Sequence, residues 1–242
     1  MRRPFTISKF LLTAVLSCVI SYNSFANVYV IYYATYKGKT GHIGLAISEY
    51  DIYATEMNGA GGSYTKYDTV MASGLLYYDL WPNDDQFSVW HTGKNIAAEY
   101  YKLPLSADEK ITLTSLYNKG IPHKENYPCD GILKIATTWQ QDQQLEKIVD
   151  SLIDAKAPFN ARRFNCSDFV ATALENLLGI HIAAREFIGL GWSSTPNKLY
   201  RVLKQLQGVT VIKEAGEKAK GSFFKERVLY KIFNRKSFIS NS

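Results

Sequence analysis

Of the three cysteines in this 242-residue chain, Cys166 has the neighbours that nucleophilic chemistry needs. Asn165 is a strong helix N-cap, Asp168 falls in the first turn, and Phe169, Val170, Leu174 and Leu177 give the helix one apolar face. A cysteine in that turn meets the positive end of the helix macrodipole and free backbone N–H groups, both of which favour thiolate. Thiolate is the attacking form. A nucleophile also needs a base, and the chain offers His42, His91, His123 and His181. His42 opens an alternating stretch with Ile43, Leu45 and Ile47 on one face and Gly44 and Ala46 beside it on the other. That pattern predicts an imidazole next to a shallow, open surface, where it can take a thiol proton and later return it. His181 trails the Cys166 helix, and His91 and His123 fall in less regular stretches. The same residues leave a second use of Cys166 open. Tyr127-Pro128-Cys129-Asp130-Gly131 is a turn, and a Cys129–Cys166 disulfide would consume the thiol and leave a non-catalytic binding module.

The elements that must position these groups divide along the chain. Asn27–Ala34 and His42–Ser48 read as strands separated by turn chemistry at Lys37–Gly41. Asp51–Met57 reads as a third strand, with further strands at Leu75–Leu80, Phe87–His91 and Ala98–Leu103. Ser106-Ala107-Asp108-Glu109 has capping-box spacing and predicts a helix to about Asn118. Gln140–Lys156 carries Leu145, Ile148, Val149 and Leu152 at helical spacing and stops before Pro158. The Cys166 helix runs to Leu178, another begins at Thr195-Pro196, and Val209–Ile212 suits a short strand. Strands first and helices later predict an α+β domain.

Arg2, Arg3 and Lys9, the apolar run Phe10–Ile20 and the exit Ser24-Phe25-Ala26 have the form of a secretory signal over residues 1–26. Val15-Leu16-Ser17-Cys18 also loosely matches a lipoprotein box. The expected product is periplasmic or secreted. The expected organisation is one domain over 27–208 and a basic extension over 209–242. Residues 27–200 hold 15 Lys and Arg against 19 Asp and Glu, whereas residues 201–242 hold 10 against 3. The basic end predicts contact with an anionic surface, such as a membrane, and no nucleic-acid motif accompanies it. No Cys-x-x-Cys, His-x-x-x-His or phosphate-loop glycine pattern occurs, so neither a metal nor another cofactor is expected.

Gly41-His42-Ile43-Gly44-Leu45-Ala46 on a strand, followed far downstream by Asn165-Cys166-Ser167-Asp168-Phe169-Val170 at a helix start, resembles the circularly permuted branch of the NlpC-type papain-like hydrolases. That branch includes lecithin–retinol acyltransferase-like and YiiX-like proteins, in which histidine precedes cysteine. The layout, with Leu103–Ser106 between the motifs, is also similar to the N-terminal periplasmic domain of Lnb-type proteins. The resemblance implies a small antiparallel sheet packed on the cysteine helix and a Cys-His pair oriented by a third polar residue on the strand after the histidine. Glu56 is the first candidate for that residue, then Asn58, with His91 outside. The implied activity is thiol hydrolysis of amide bonds in cell-wall peptides. Lipid or ester chemistry at an anionic membrane is the alternative, although Ala54 stands where acyltransferase-like members carry a second histidine.

Overall fold

A computed structural model describes residues 25–59, 62–83, 93–104, 110–121, 127–189 and 191–239. Residues 1–24 of the signal-like segment, the candidate strand Phe87–His91, the cap Ser106 and the residues His91 and His123 lie outside them, whereas Phe25 and Ala26, at the expected exit of that segment, open the first strand. The architecture is α+β. Six antiparallel strands form one sheet in the order β4-β3-β2-β1-β5-β8: β1 Phe25–Tyr33, β2 His42–Gly59, β3 Gly62–Pro82, β4 Ala98–Leu103, β5 Gly131–Thr138 and β8 Val209–Lys213. A separate hairpin pairs β6 Arg185–Phe187 with β7 Trp192–Ser194. The helices are α1 Leu113–Asn118, α2 Trp139–Asp154, α3 Cys166–Leu178, α4 Pro196–Leu203 and α5 Tyr230–Ile239, the last preceded by a π-helical stretch Phe224–Leu229.

Three sequence expectations change here. The stretch Asp51–Met57 is not a separate strand. It continues β2, with a register shift between Ser48 and Tyr50 where the alternation resets. Within the described residues, the helix ending at Asn118 starts at Leu113 and is capped by Thr112, whose side chain accepts from Ser115 N. The basic extension is not an appendage from its first residue, because β8 hydrogen-bonds to β5 in the main sheet.

Alternation in the strands gives the sheet two apolar faces. Val28, Val30, Tyr32, Ile43, Leu45 and Ile47 point to one face, where α2 and α3 add Leu145, Val149, Phe169 and Leu174. Each such buried side chain contributes roughly 1.5–3 kcal/mol. Ile31, Tyr33, Ala46, Tyr77 and Ile132 point to the other face, where Ile111, Leu116, Ile121 and Cys129 cover them. Asn197 at the start of α4 ties the end of β1 to this scaffold: its Oδ1 accepts from Tyr32 Oη at 2.6 Å and Thr35 N at 2.8 Å.

Candidate active site

His42 is the first residue of β2, preceded by Gly41 at φ +75°. Glycine is required there: a Cβ would fall 2.6 Å from Thr35 N. The imidazole is buried, at 3% exposure, and stacks on Trp81 with ring centroids 4.0 Å apart. Its Nε2 lies 3.1 Å from Oδ2 of Asp79 on β3. The same oxygen accepts from Tyr77 Oη at 3.0 Å and from Trp81 Nε1 at 2.8 Å. Asp79 is fully buried, and a buried carboxylate persists only with donors of this kind.

The face expected to be open is therefore closed. Gly44 makes room for the Tyr77 phenol, because a Cβ on Gly44 would lie 2.6 Å from Tyr77 Oη. The small residues beside His42 accommodate a second core layer rather than a substrate.

Cys166 is the first residue of α3, is half-buried, and lines a cleft. Its position is fixed by a reciprocal cap. Asn165 Oδ1 accepts from Ser167 N at 2.8 Å and Asp168 N at 3.3 Å, while Asp168 Oδ2 accepts from Asn165 N at 3.1 Å. Asn165 Nδ2 also donates to Ala161 O, Ser193 Oγ and Ser194 O, each at 3.1 Å. Burial pushes the Asp168 carboxyl up from its ordinary range, opposed by the hydroxyl of Ser194 and the backbone of Asn165.

The Cys166 sulfur is close enough to His42 to act on its protonation directly. Burial works against the imidazolium. The sulfur first, and the Asp79 carboxylate after it, outweigh that penalty and raise the ring's pKa from 6.5 to about 9. The arrangement favours an imidazolium beside the sulfur at neutral pH.

The carboxylate that contacts His42 is Asp79, not Glu56. Glu56 is exposed and lies on the same strand as His42, opposite Thr65. Fourteen residues of strand separate the two, roughly 45 Å at about 3.3 Å per residue. Asn58 is farther along the same strand. His181 is exposed and pairs with Glu175 at 2.8 Å. The disulfide alternative is also overturned. Cys129 and Cys166 are both free thiols, packed into the cores on opposite faces of the sheet. Burial pushes the Cys129 thiol up to about 11.

The cleft over Cys166 has a volume of about 980 Å³. Phe159, Ile188, Phe224, Val228 and Ile232 give it apolar walls, and Lys37, Lys39, Arg227 and Lys231 add cations. One wall is the C-terminal segment, a role that charge counting did not foresee. The segment is pinned to the turn before His42 through Gly38 N to Glu226 O at 2.8 Å and Arg227 Nε to Thr40 Oγ1 at 3.1 Å. Among the described residues no group of three or more metal-ligating side chains gathers. Likewise, no helix among them is long and apolar enough to cross a membrane. No family model, curated protein or solved structure matches the chain, so the site stands on its own geometry.

Proposed function

We propose that this protein is an exported thiol hydrolase with a permuted papain-like fold, in which Cys166 is the nucleophile, His42 the base and then the acid, and Asp79 the residue that positions His42. The observation that carries this reading is the buried His42 ring held by Asp79 beside a cleft-lining cysteine. In this scheme the thiolate attacks a carbonyl carbon, and backbone N–H groups at the helix start serve the developing oxyanion. His42 protonates the departing alcohol or amine, leaving an acyl-thioester. It then takes a proton from water, whose oxygen attacks that thioester to release the acid and restore the thiol.

Of the two substrate classes, the apolar walls favour the acyl chain of a lipid ester over a cell-wall peptide. A sugar-peptide polymer needs a lining rich in hydrogen-bonding groups, and this cleft is mostly carbon. The test compares the native protein with Cys166→Ala on long-chain esters, phospholipid vesicles and purified cell wall. Release of fatty acid that depends on Cys166 is expected. Iodoacetamide should alkylate Cys166 at neutral pH faster than a model thiol. Labelling no faster than the model, with no turnover on any substrate, overturns the reading, and turnover confined to cell wall restores the peptide assignment.

A further inference from the structure

Soluble domains rarely leave large apolar side chains exposed in one place without a reason. Nine are exposed among the described residues, and five of them flank the Cys166 cleft: Phe187, Trp192, Tyr230, Ile232 and Phe233. Trp192 is 63% exposed and Phe233 69%. Phe187 and Trp192 stand at one end of the β6–β7 hairpin, whose neighbouring residues Ile188, Gly189 and Ser193 line the cleft. Phe187 also meets the ring of Phe224 across the cleft wall, with centroids 5.8 Å apart. Tyr230, Ile232 and Phe233 lie on α5, where Tyr230 and Ile232 face the cleft mouth.

The charge around this cluster is predominantly positive. Over Phe223–Ile239 the sequence has five Lys and Arg against one acid, Glu226. Exposed Lys37 and Lys39 stand on the turn to which the segment is hydrogen-bonded. Aromatic and branched apolar tips set among cations match a bilayer surface in both respects. The rings insert at the headgroup level, and the cations meet anionic headgroups.

We propose that the β6–β7 hairpin and the C-terminal segment dock the protein on an anionic phospholipid bilayer with the mouth of the Cys166 cleft turned toward the membrane. This goes beyond the hydrolase reading and does not rest on it, because docking needs no reactive thiol. The charge complementarity selects the bilayer as occupant. A second copy of this chain would bring the same cations against each other.

The experiment is co-sedimentation of the full chain with vesicles of phosphatidylcholine alone or with one third phosphatidylglycerol. Cys166→Ala is measured in parallel so that binding is read apart from catalysis. Binding to the anionic vesicles is expected, equal in Cys166→Ala, and weakened as salt rises from about 0.1 M to about 0.5 M. Trp192→Ala with Phe233→Ala should weaken it at least about tenfold through lost apolar burial. Lys225→Ser with Lys231→Ser should weaken it roughly 25-fold, at about fivefold per cation. Circular dichroism checks that these surface variants keep the fold. No binding, equal binding to neutral and anionic vesicles, or binding untouched by both double variants overturns the proposal. Concentration-dependent dimerisation that needs Trp192 and Phe233 would assign the surface to a second copy instead. If vesicles bind but Cys166 proves unreactive, docking stands and the hydrolase reading falls.

Discussion

Replacing Asp79 by asparagine tests the coupling on which the site depends. Asparagine keeps one oxygen where Oδ2 accepts from His42, Tyr77 and Trp81, so the geometry is conserved and the charge is lost. A hydrogen bond to a charged acceptor contributes about 1.5–3 kcal/mol, against about 0.5–1.5 kcal/mol for a neutral one. The difference of about 1.4 kcal/mol is one pKa unit. The His42 pKa, raised to about 9 in the native protein, should therefore fall to about 8 in D79N. Nitrogen-15 NMR of the imidazole reads this without any substrate. Cys166→Ala should lower the titration further, because the sulfur is the largest influence raising it. If a good alkyl ester is found, the alkaline limb of kcat/KM should move down with the titration, since the alkoxide leaving group needs the His42 proton.

Stability supplies an independent readout with a fixed sign. The folded pKa of His42 lies above its ordinary 6.5, so protonation stabilises the fold fully below about pH 6.5, and that gain is lost as pH rises through about 9. At about 1.4 kcal/mol per pH unit, the group accounts for about 3 kcal/mol over that window, and about 2 kcal/mol in D79N. Denaturant unfolding at a series of pH values measures both slopes. A native His42 that already titrates near 6.5, or a titration that D79N leaves in place, refutes the reasoning.

Mass spectrometry of the unreduced protein should find two free thiols, Cys129 and Cys166, with Cys129 silent to alkylation in the folded state because it is buried with its pKa pushed up to about 11. Gly44→Ala should push the Tyr77 phenol off Asp79, since the new Cβ falls 2.6 Å from Tyr77 Oη and 2.9 Å from the Tyr78 carbonyl oxygen; a loss of about 2 kcal/mol in denaturant unfolding is expected. Asn197→Ala leaves Tyr32 Oη and Thr35 N without their buried acceptor and should cost about 2–4 kcal/mol in the same measurement, with α3 chemistry intact in the surviving folded fraction.

The cysteine end of the site was legible because helix starts are written locally. Asn165, Cys166 and Asp168 supply cap, candidate nucleophile and reciprocal cap within four residues, and the structure begins the helix at Cys166. His42 was legible for a similar reason, as the first residue of an alternating strand. Asp79 was not, because a strand shows which residues share a face but not which strand lies beside it. Its signal was nevertheless present. Tyr77, Asp79 and Trp81 alternate with Leu76, Tyr78 and Leu80, so a lone carboxylate stood between two aromatic residues that carry an O–H and an N–H donor. A charge in such a buried strand demands partners. The length of β2 was hidden by the irregularity after Ser48, which breaks the period of two on which strand reading depends. Composition reports only the charge of the C-terminal segment, whereas its place as a cleft wall rests on one backbone hydrogen bond, Gly38 N to Glu226 O, and one between side chains, Arg227 Nε to Thr40 Oγ1.

The two halves of the site draw on different cores. Cys166 packs with the layer of α2 and α3, while His42 shares its face with Tyr33, Tyr77 and Asp79 on the opposite layer. They meet only because His42 is the first residue of β2, where the strand ends and its side chain is no longer confined behind the sheet. A histidine two residues farther in would have the whole sheet between it and the sulfur, at the position that glycine occupies to admit Tyr77. The turn before His42 thus carries more of the site's geometry than its length suggests. Gly41 sets the entry to the strand, and Thr35 Oγ1 donates to Thr40 O at 2.6 Å to close the loop behind it. Loosening that turn would separate thiol from imidazole while leaving both cores packed, so reactivity and stability should part company there as they do not at Asp79.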